Sequence, residues 1–314
     1  MPEARSKFLL IKQNRGDPQA MVTLEELFCC VDDFCQKFIP LWEQQLIENN
    51  LLKRHRMTSL SLSEVMTLLI LFHMSHYRHF KAFYTEHVQQ YLKTDFPGLV
   101  SYNRMITLKK RAIIPLCAFL SSRKQKSQGI AFIDSTQIAV CHNLRISWNK
   151  VFDGVAQRGK TSTGWFYGFK LHLIIDDCGE LLSVKLTQGN RDDRQPVKAL
   201  VTGLTGHLYG DKGYLSQALC DELKAEGITL ITNVRRNMKG KFLSLWDKAM
   251  LRKRFLIETV SDQLKNISQI EHSRHRSVAG FLLEVVSGLI AYTFQPKKPS
   301  LGLRDYEIAM LKQK

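Results

Sequence analysis

Acidic residues are scarce in this sequence of 314 residues. Asp and Glu number 29 against 45 Lys and Arg, a formal charge of +16. The imbalance points to a polyanionic partner, nucleic acid first and an anionic membrane surface second. Long apolar runs are missing as well. The longest apolar-looking stretch, Ser277 to Phe294, carries Glu284 and two glycines, and Val65 to Phe72 is too short to cross a bilayer. No membrane span is expected. The opening MPEARSKFLL has no apolar core ahead of a small-residue cleavage site, so the expected compartment is the cytoplasm. Cysteine offers no framework: the seven are scattered and no Cys-x-x-Cys pair exists. Reduced thiols are the preferred reading, because a zinc site on Cys29, Cys30 and Cys35 would lack a second ligand pair. A P-loop is absent, which excludes the usual ATP-driven step. No internal repeat or low-complexity tract is visible.

What is present is enough apolar material for a core, 44% of residues. Residues 1–20 read as a loose polar arm. From Thr23 to about Lys126 the pattern is helical. Thr23 with Glu26, and Ser61 with Glu64, are capping boxes ahead of apolar runs, and another helix is expected over Asn103 to Phe119. Ser61 to Tyr84 is a candidate for part of a helix-turn-helix, with packing against the core as the equal alternative. After Gly129 the character changes. Ile130 to Ile133 is a short apolar run ending at Asp134, which suits a strand buried on both faces. Phe166 to Ile175 alternates, Asp176 to Gly179 has turn chemistry, and Leu182, Val184 and Leu186 alternate again, which reads as an antiparallel hairpin. A helix over Gln195 to Leu204, a strand ending at Gly210-Asp211, a helix over Ser216 to Glu226, a strand over Ile228 to Val234 and a helix over about Lys248 to Ile270 follow. That order predicts an α/β fold, a mixed sheet flanked by helices. The expected domains are residues 1–126, helical and DNA-binding, and 127–314, catalytic.

Charge is concentrated. Arg104 to Lys126 holds seven Lys or Arg and no acid, and Arg235 to Arg254 holds eight against Asp247 alone. Two such blocks around one αβ region favour a phosphate-tracking surface over two solvated helix faces. Within that region Asp134 and Asp211 each end an apolar strand, well placed for a crevice above a sheet. Glu258 falls on one helical stripe with Arg254 and Lys265, at gaps of 4 and 7 residues. Three such carboxylates have the chemistry to hold two hard cations about 4 Å apart. Singly, each has a plainer reading. A strand-end Asp is more often a turn or cap, and Glu258 with Arg254 is more often a surface ion pair. Their order and basic setting favour the joint reading.

At these residues the sequence resembles the DDE transposases of bacterial insertion sequences. Phe132-Ile133-Asp134-Ser135-Thr136 looks like the first-Asp motif. Thr187 to Asp193 followed by Gly210-Asp211-Lys212-Gly213-Tyr214 looks like the second, and Arg254-x3-Glu258-x6-Lys265 matches the third. The closest resemblance is to the insertion-sequence-982 family. It extends to Val31-Asp32-Asp33-Phe34-Cys35, Leu62 to Thr67 and Ile270 to Arg276, nearly the whole chain. One departure stands at Leu251, where related types often carry a Tyr; it weakens any carry-over of hairpin chemistry. The resemblance implies a ribonuclease-H-like core and Mg²⁺-dependent cleavage at element ends with strand transfer, Mn²⁺ being a substitute. Asp134, Asp211 and Glu258 would be the catalytic metal ligands. Lys265 would contact DNA, Arg254 would steady the Glu or a phosphate, and Lys212, Arg274 and Arg276 are further candidate phosphate contacts. Partners would be the element's inverted repeats, target DNA and further copies of the chain, a dimer or larger.

Two alternatives remain open at this level. One is a domesticated or decayed DNA-binding protein without cleavage; the other is a cellular nuclease of the same fold. A tyrosine recombinase is disfavoured, because His142-x-x-Arg145 lacks a suitably placed helix and Tyr. His73, His76 and His79 read as packing or surface residues. Trp165 reads as a strand residue whose ring is also suited to stacking on a flipped base.

Overall fold

The computed structural model describes residues 22–51, 58–125, 128–162, 164–233, 243–271 and 275–303. They fall into two compact units. One takes its residues from Met1–Phe119 and Leu282–Pro296, the other from Leu120–Phe281 and Lys297–Lys314.

The first unit is helical. α1 (Leu24–Glu48) and α2 (Leu62–Met74) both begin at complete capping boxes. Thr23 Oγ1 accepts from the Glu26 N–H at 3.1 Å, and the Glu26 carboxylate accepts from the Thr23 N–H at 2.8 Å. α2 is buried from Ser63 to His73 except at Glu64. A helix apolar on every side belongs in a core, so its surface is not available to read a DNA groove. Cys35 Sγ of α1 meets Met66 Sδ of α2 at 3.6 Å. Phe80–Ala82, a π-helical stretch Phe83–Val88 and Gln89–Tyr91 follow, with the Tyr84 hydroxyl donating to the Val100 carbonyl at 2.7 Å.

The single helix expected over Asn103 to Phe119 is broken. α3 (Tyr102–Leu108) tightens into a 3₁₀ turn, Lys109–Ala112, before α4 (Ile113–Ser122) starts. Pro115 supplies the reason: it has no N–H to continue the ladder and is tolerated only in a first turn. Lys109, from the first basic block, points inward with its ammonium 4.8 Å above the Phe80 ring. Burial lowers its pKa and the nearby Glu284 charge opposes that shift.

The second unit is built on a six-stranded sheet. Its strands are β1 (Ile130–Cys141), β2 (Gln157–Thr161), β3 (Gly164–Ile175), β4 (Leu181–Gln188), β5 (Gly206–Gly210) and β6 (Ile228–Thr232). The path β4-β3-β1 is antiparallel and β1-β5-β6 is parallel, the strand order of a ribonuclease-H-like fold. β2 pairs with the first residues of β3, on the same edge that β4 uses further along.

β1 does not end at Asp134. Its parallel partner β5 pairs only with Ile130, Ala131 and Phe132, but β3 stays paired with β1 as far as Cys141. Ala131 and Ile133 pack on one face with α5 (Val197–Leu200), α6 (Gln217–Ala225) and Tyr214. The helix expected over Gln195 to Leu204 is therefore one short turn. The helix expected over Lys248 to Ile270 is two, α7 (Leu245–Lys253) and α8 (Phe255–Asn266), separated at Arg254. The Ile257 N–H bonds to the Arg254 carbonyl at 3.2 Å, a tightened turn between them. α7 is anchored by Asp247, whose carboxylate accepts from the buried Tyr209 hydroxyl of β5 at 3.1 Å. The last helix, α9 (Val278–Thr293), begins in this unit, where Phe281 stacks on Phe169 at 4.8 Å. None of the seven cysteines forms a disulfide. Among the described residues no helix is long and apolar enough to cross a membrane.

Candidate active site

β1 and β5 run parallel with Phe132 opposite Tyr209. Two residues on from that pair stand Asp134 and Asp211. Side chains alternate along a strand, so Asp134 leaves β1 on the face where the Phe132 and Tyr209 rings meet, 5.6 Å apart, and Asp211 directly follows the last residue of β5. α8 lies over β1 and presents Glu258 from its first turn. The guanidinium of Arg254 joins the elements: it lies 3.5 Å from Asp134 Oδ2 and 2.8 Å from Glu258 Oε1.

Burial pushes the Asp134 carboxyl up to about 6. The Arg254 charge and a hydrogen bond from the Ser135 N–H oppose the rise, and the negative charges of Glu258 and Asp211 add to it. Asp134 therefore feels both other carboxylates, although the three sets of oxygens do not all lie within 4.8 Å of one another. Glu258 and Asp211 are open to solvent. Beneath them Tyr214 is buried, and burial with the charges of Asp134 and Asp193 raises its pKa.

Oxygen-only donors around a partly desolvated carboxyl fit a hard divalent cation. The guanidinium that Asp134 and Glu258 now share shows that positive charge is favoured there.

The other residues singled out in the sequence are dispersed. Lys265 is ion-paired with Glu271 at 3.1 Å, and Glu271 also accepts from the Ala139 N–H at 2.8 Å, at the bulge in β1. Lys212 is exposed in the turn directly after Asp211, and Arg276 is exposed before α9. Arg274 lies outside the described residues, as do 235–242 of the second basic block.

A basic pocket of about 520 Å³ opens beside Gly213, two residues from Asp211. Arg158 and Lys160 of β2, Trp165 of β3, and Arg191 and Arg194 of the β4–α5 loop line it. Motif reading missed β2, because Gln157-Arg158-Gly159-Lys160-Thr161 has no apolar residue to alternate. The signal that was available is the glycine pair. A side chain on Gly159 would strike the Gly189 carbonyl, and one on Gly189 would come within 2.7 Å of the Gln157 carbonyl. Only two glycines let the loop lie against β2.

Residues 124–278 match a protein-family model described as a transposase DDE domain. The matched stretch contains all three carboxylates and the basic pocket, and the match supports a DDE transposase. A solved structure, a cryo-EM synaptic complex of piggyBac transposase with hairpin DNA, is similar at 12% identity and a TM-score of 0.43. The similarity covers 93% of this chain and 80% of that one. No curated protein matches the chain.

Proposed function

We propose that this chain is a DNA transposase of the insertion-sequence-982 family that cuts the ends of its element and joins the 3′-hydroxyls to target DNA. The observation that carries the proposal is that Asp134 and Asp211 each stand two residues beyond Phe132 and Tyr209, the last pair of the parallel β1–β5 ladder, close enough for the Asp211 charge to act on Asp134. Glu258 is tied to the first of them through Arg254. The match of residues 124–278 to a transposase DDE domain supports the same reading. The motifs at Val31 to Cys35, Leu62 to Thr67 and Ile270 to Arg276 support the narrower family.

In this reading Asp134, Asp211 and Glu258 hold Mg²⁺, with Mn²⁺ as a substitute. The metal when bound supplies Lewis-acid activation of water or a 3′-hydroxyl and stabilises the leaving oxygen. The chain's own groups set the conditions. Asp134 must lose the proton that burial favours, and the positive charge of Arg254 makes that loss easier. Arg254 also holds Glu258 toward β1. The exposed cations Lys212 and Arg276 are positioned to meet backbone phosphates, which orient DNA without reading its sequence. Residues 1–126 are assigned to DNA binding, and two element ends require a dimer or larger assembly. The site of action is the bacterial cytoplasm, at the nucleoid.

The test uses labelled DNA from the flanks of the gene, where inverted repeats are expected, with a target plasmid. Wild-type protein in Mg²⁺ should nick at the repeat end and give joined products, and EDTA should abolish both. Asp211→Ala and Glu258→Gln should each lose more than about a hundredfold, since even the outer partners of metal ligands are worth 10–100-fold. Undiminished metal-dependent cutting by Asp211→Ala would refute the site.

A further inference from the structure

The basic pocket has a composition that general phosphate attraction does not explain. It holds five cations against two carboxylates, and both carboxylates are engaged internally. Asp192 grips Arg194 through two bonds, 2.9 and 2.6 Å. Asp193 holds the Lys170 ammonium at 2.9 Å, and that ammonium also donates to the Arg191 carbonyl at 3.0 Å. These bonds fix the loop and leave Arg158, Lys160 and Arg191 with no carboxylate partner among the described residues. Between them stands Trp165, 60% exposed, on the strand position directly opposite Lys160. The Lys160 ammonium lies 5.7 Å from the centre of the indole ring.

An exposed indole costs free energy in water and offers a phosphate only one neutral N–H, whereas its face is a platform for a flat ring. Bases in a duplex present their edges to a protein; only an unpaired base presents a face. A recess of about 520 Å³ falls in the range of sites that enclose one small molecule and is far too small for a double helix.

We propose that this pocket takes one unpaired nucleotide of a DNA strand, its base stacked on Trp165 and its phosphate held by Arg158 and Arg191. The proposal rests on the DNA reading above and deepens it, because Gly213 in the pocket wall places that nucleotide beside Asp211. Lys160 leaves the ring face as the base arrives and turns to the phosphate.

The experiment measures binding of a short labelled thymidine oligonucleotide and of a labelled duplex by fluorescence anisotropy, at one fixed salt concentration. Trp165→Ala should weaken the single strand about tenfold or more and the duplex less than about threefold, since stacking is worth roughly 1–3 kcal/mol per base. Trp165→Phe should recover most of the loss. Arg191→Ala should lower the slope of log K against log salt for the single strand by about 0.7. An unchanged melting temperature checks that the exposed side chain was removed without unfolding. Equal weakening of both DNAs, or no weakening of the single strand, overturns the proposal. Cleavage of element ends by wild type is assayed in parallel. Cutting without Trp165-dependent strand binding refutes the pocket alone. Trp165-dependent strand binding without cutting supports the pocket and refutes the transposase reading.

Discussion

Between β1 and α8 one guanidinium serves two carboxylates, while at the β2–β3 edge two carboxylates serve two of five cations. Both regions lie in the same unit and both contain close ion pairs. The leftover charge differs in sign. The first keeps Asp211 and most of Glu258 open and attracts a cation. The second keeps Arg158, Lys160 and Arg191 open and attracts phosphate. Phosphodiester chemistry needs both, and one turn, Asp211-Lys212-Gly213, connects them. An ion pair in this protein is therefore best read by what it leaves uncompensated, not by its own strength.

The largest expected effect that sharpens the contrast comes from Asp193→Ala. Lys170 is only 11% exposed in its side chain, so losing Asp193 strands a nearly buried ammonium. A cost of about 2–3 kcal/mol is expected, a fall in melting temperature of roughly 5–10 °C by calorimetry. A neutral result would show that the Arg191 carbonyl alone satisfies Lys170 and that the loop is not braced by charge.

Next comes Arg254→Ala. If the guanidinium competes with a divalent cation for Asp134 and Glu258, its loss should enlarge the rise in melting temperature that millimolar Mn²⁺ produces, by a few degrees over wild type. A smaller rise in the variant would mean that Arg254 organises the carboxylates for the metal instead of competing with it.

The smallest effect is assigned to the exposed pair. The Arg194 side chain holds Asp192 down at about 2, below the usual carboxylate range. A depressed carboxyl contributes stability above its unfolded pKa, near 4, and loses it as the pH falls through 2. Asp192→Asn should lower the melting temperature by no more than about 2 °C at pH 7, because exposed pairs are weak. That gap should narrow between about pH 5 and pH 3; a gap that is constant with pH would assign the effect to loop geometry and not to charge.

Much of this fold was legible. The run Ile130 to Ile133, the alternation of Phe166 to Ile175 and Leu182 to Leu186, and the turn at Asp176 to Gly179 announced β1, β3 and β4 through burial patterns that survive in any register. Thr23 and Ser61 announced helix starts because a cap is a local hydrogen-bond requirement. Other features were not legible. β1 runs past Asp134 because β3 is long enough to pair with it, a fact carried by another segment. β2 has no apolar residue and exists because β3 offers it an edge. Arg254 stands at the break between α7 and α8, and its side chain reaches Asp134 of β1, a partner 120 residues away in the chain.

The excess of positive charge, the helix caps, the hairpin and the order of the three acids were readable in the primary structure, since each depends on composition or on neighbours a few residues away. Which partner each charge takes was set by folding. Lys109 went to the face of a phenylalanine ring, Lys265 to Glu271, Arg254 between two carboxylates, and Arg158 and Lys160 to an open pocket with Trp165. The physical reason is that electrostatic energy depends on separation and on the surrounding dielectric, and both are set by segments far apart in the chain.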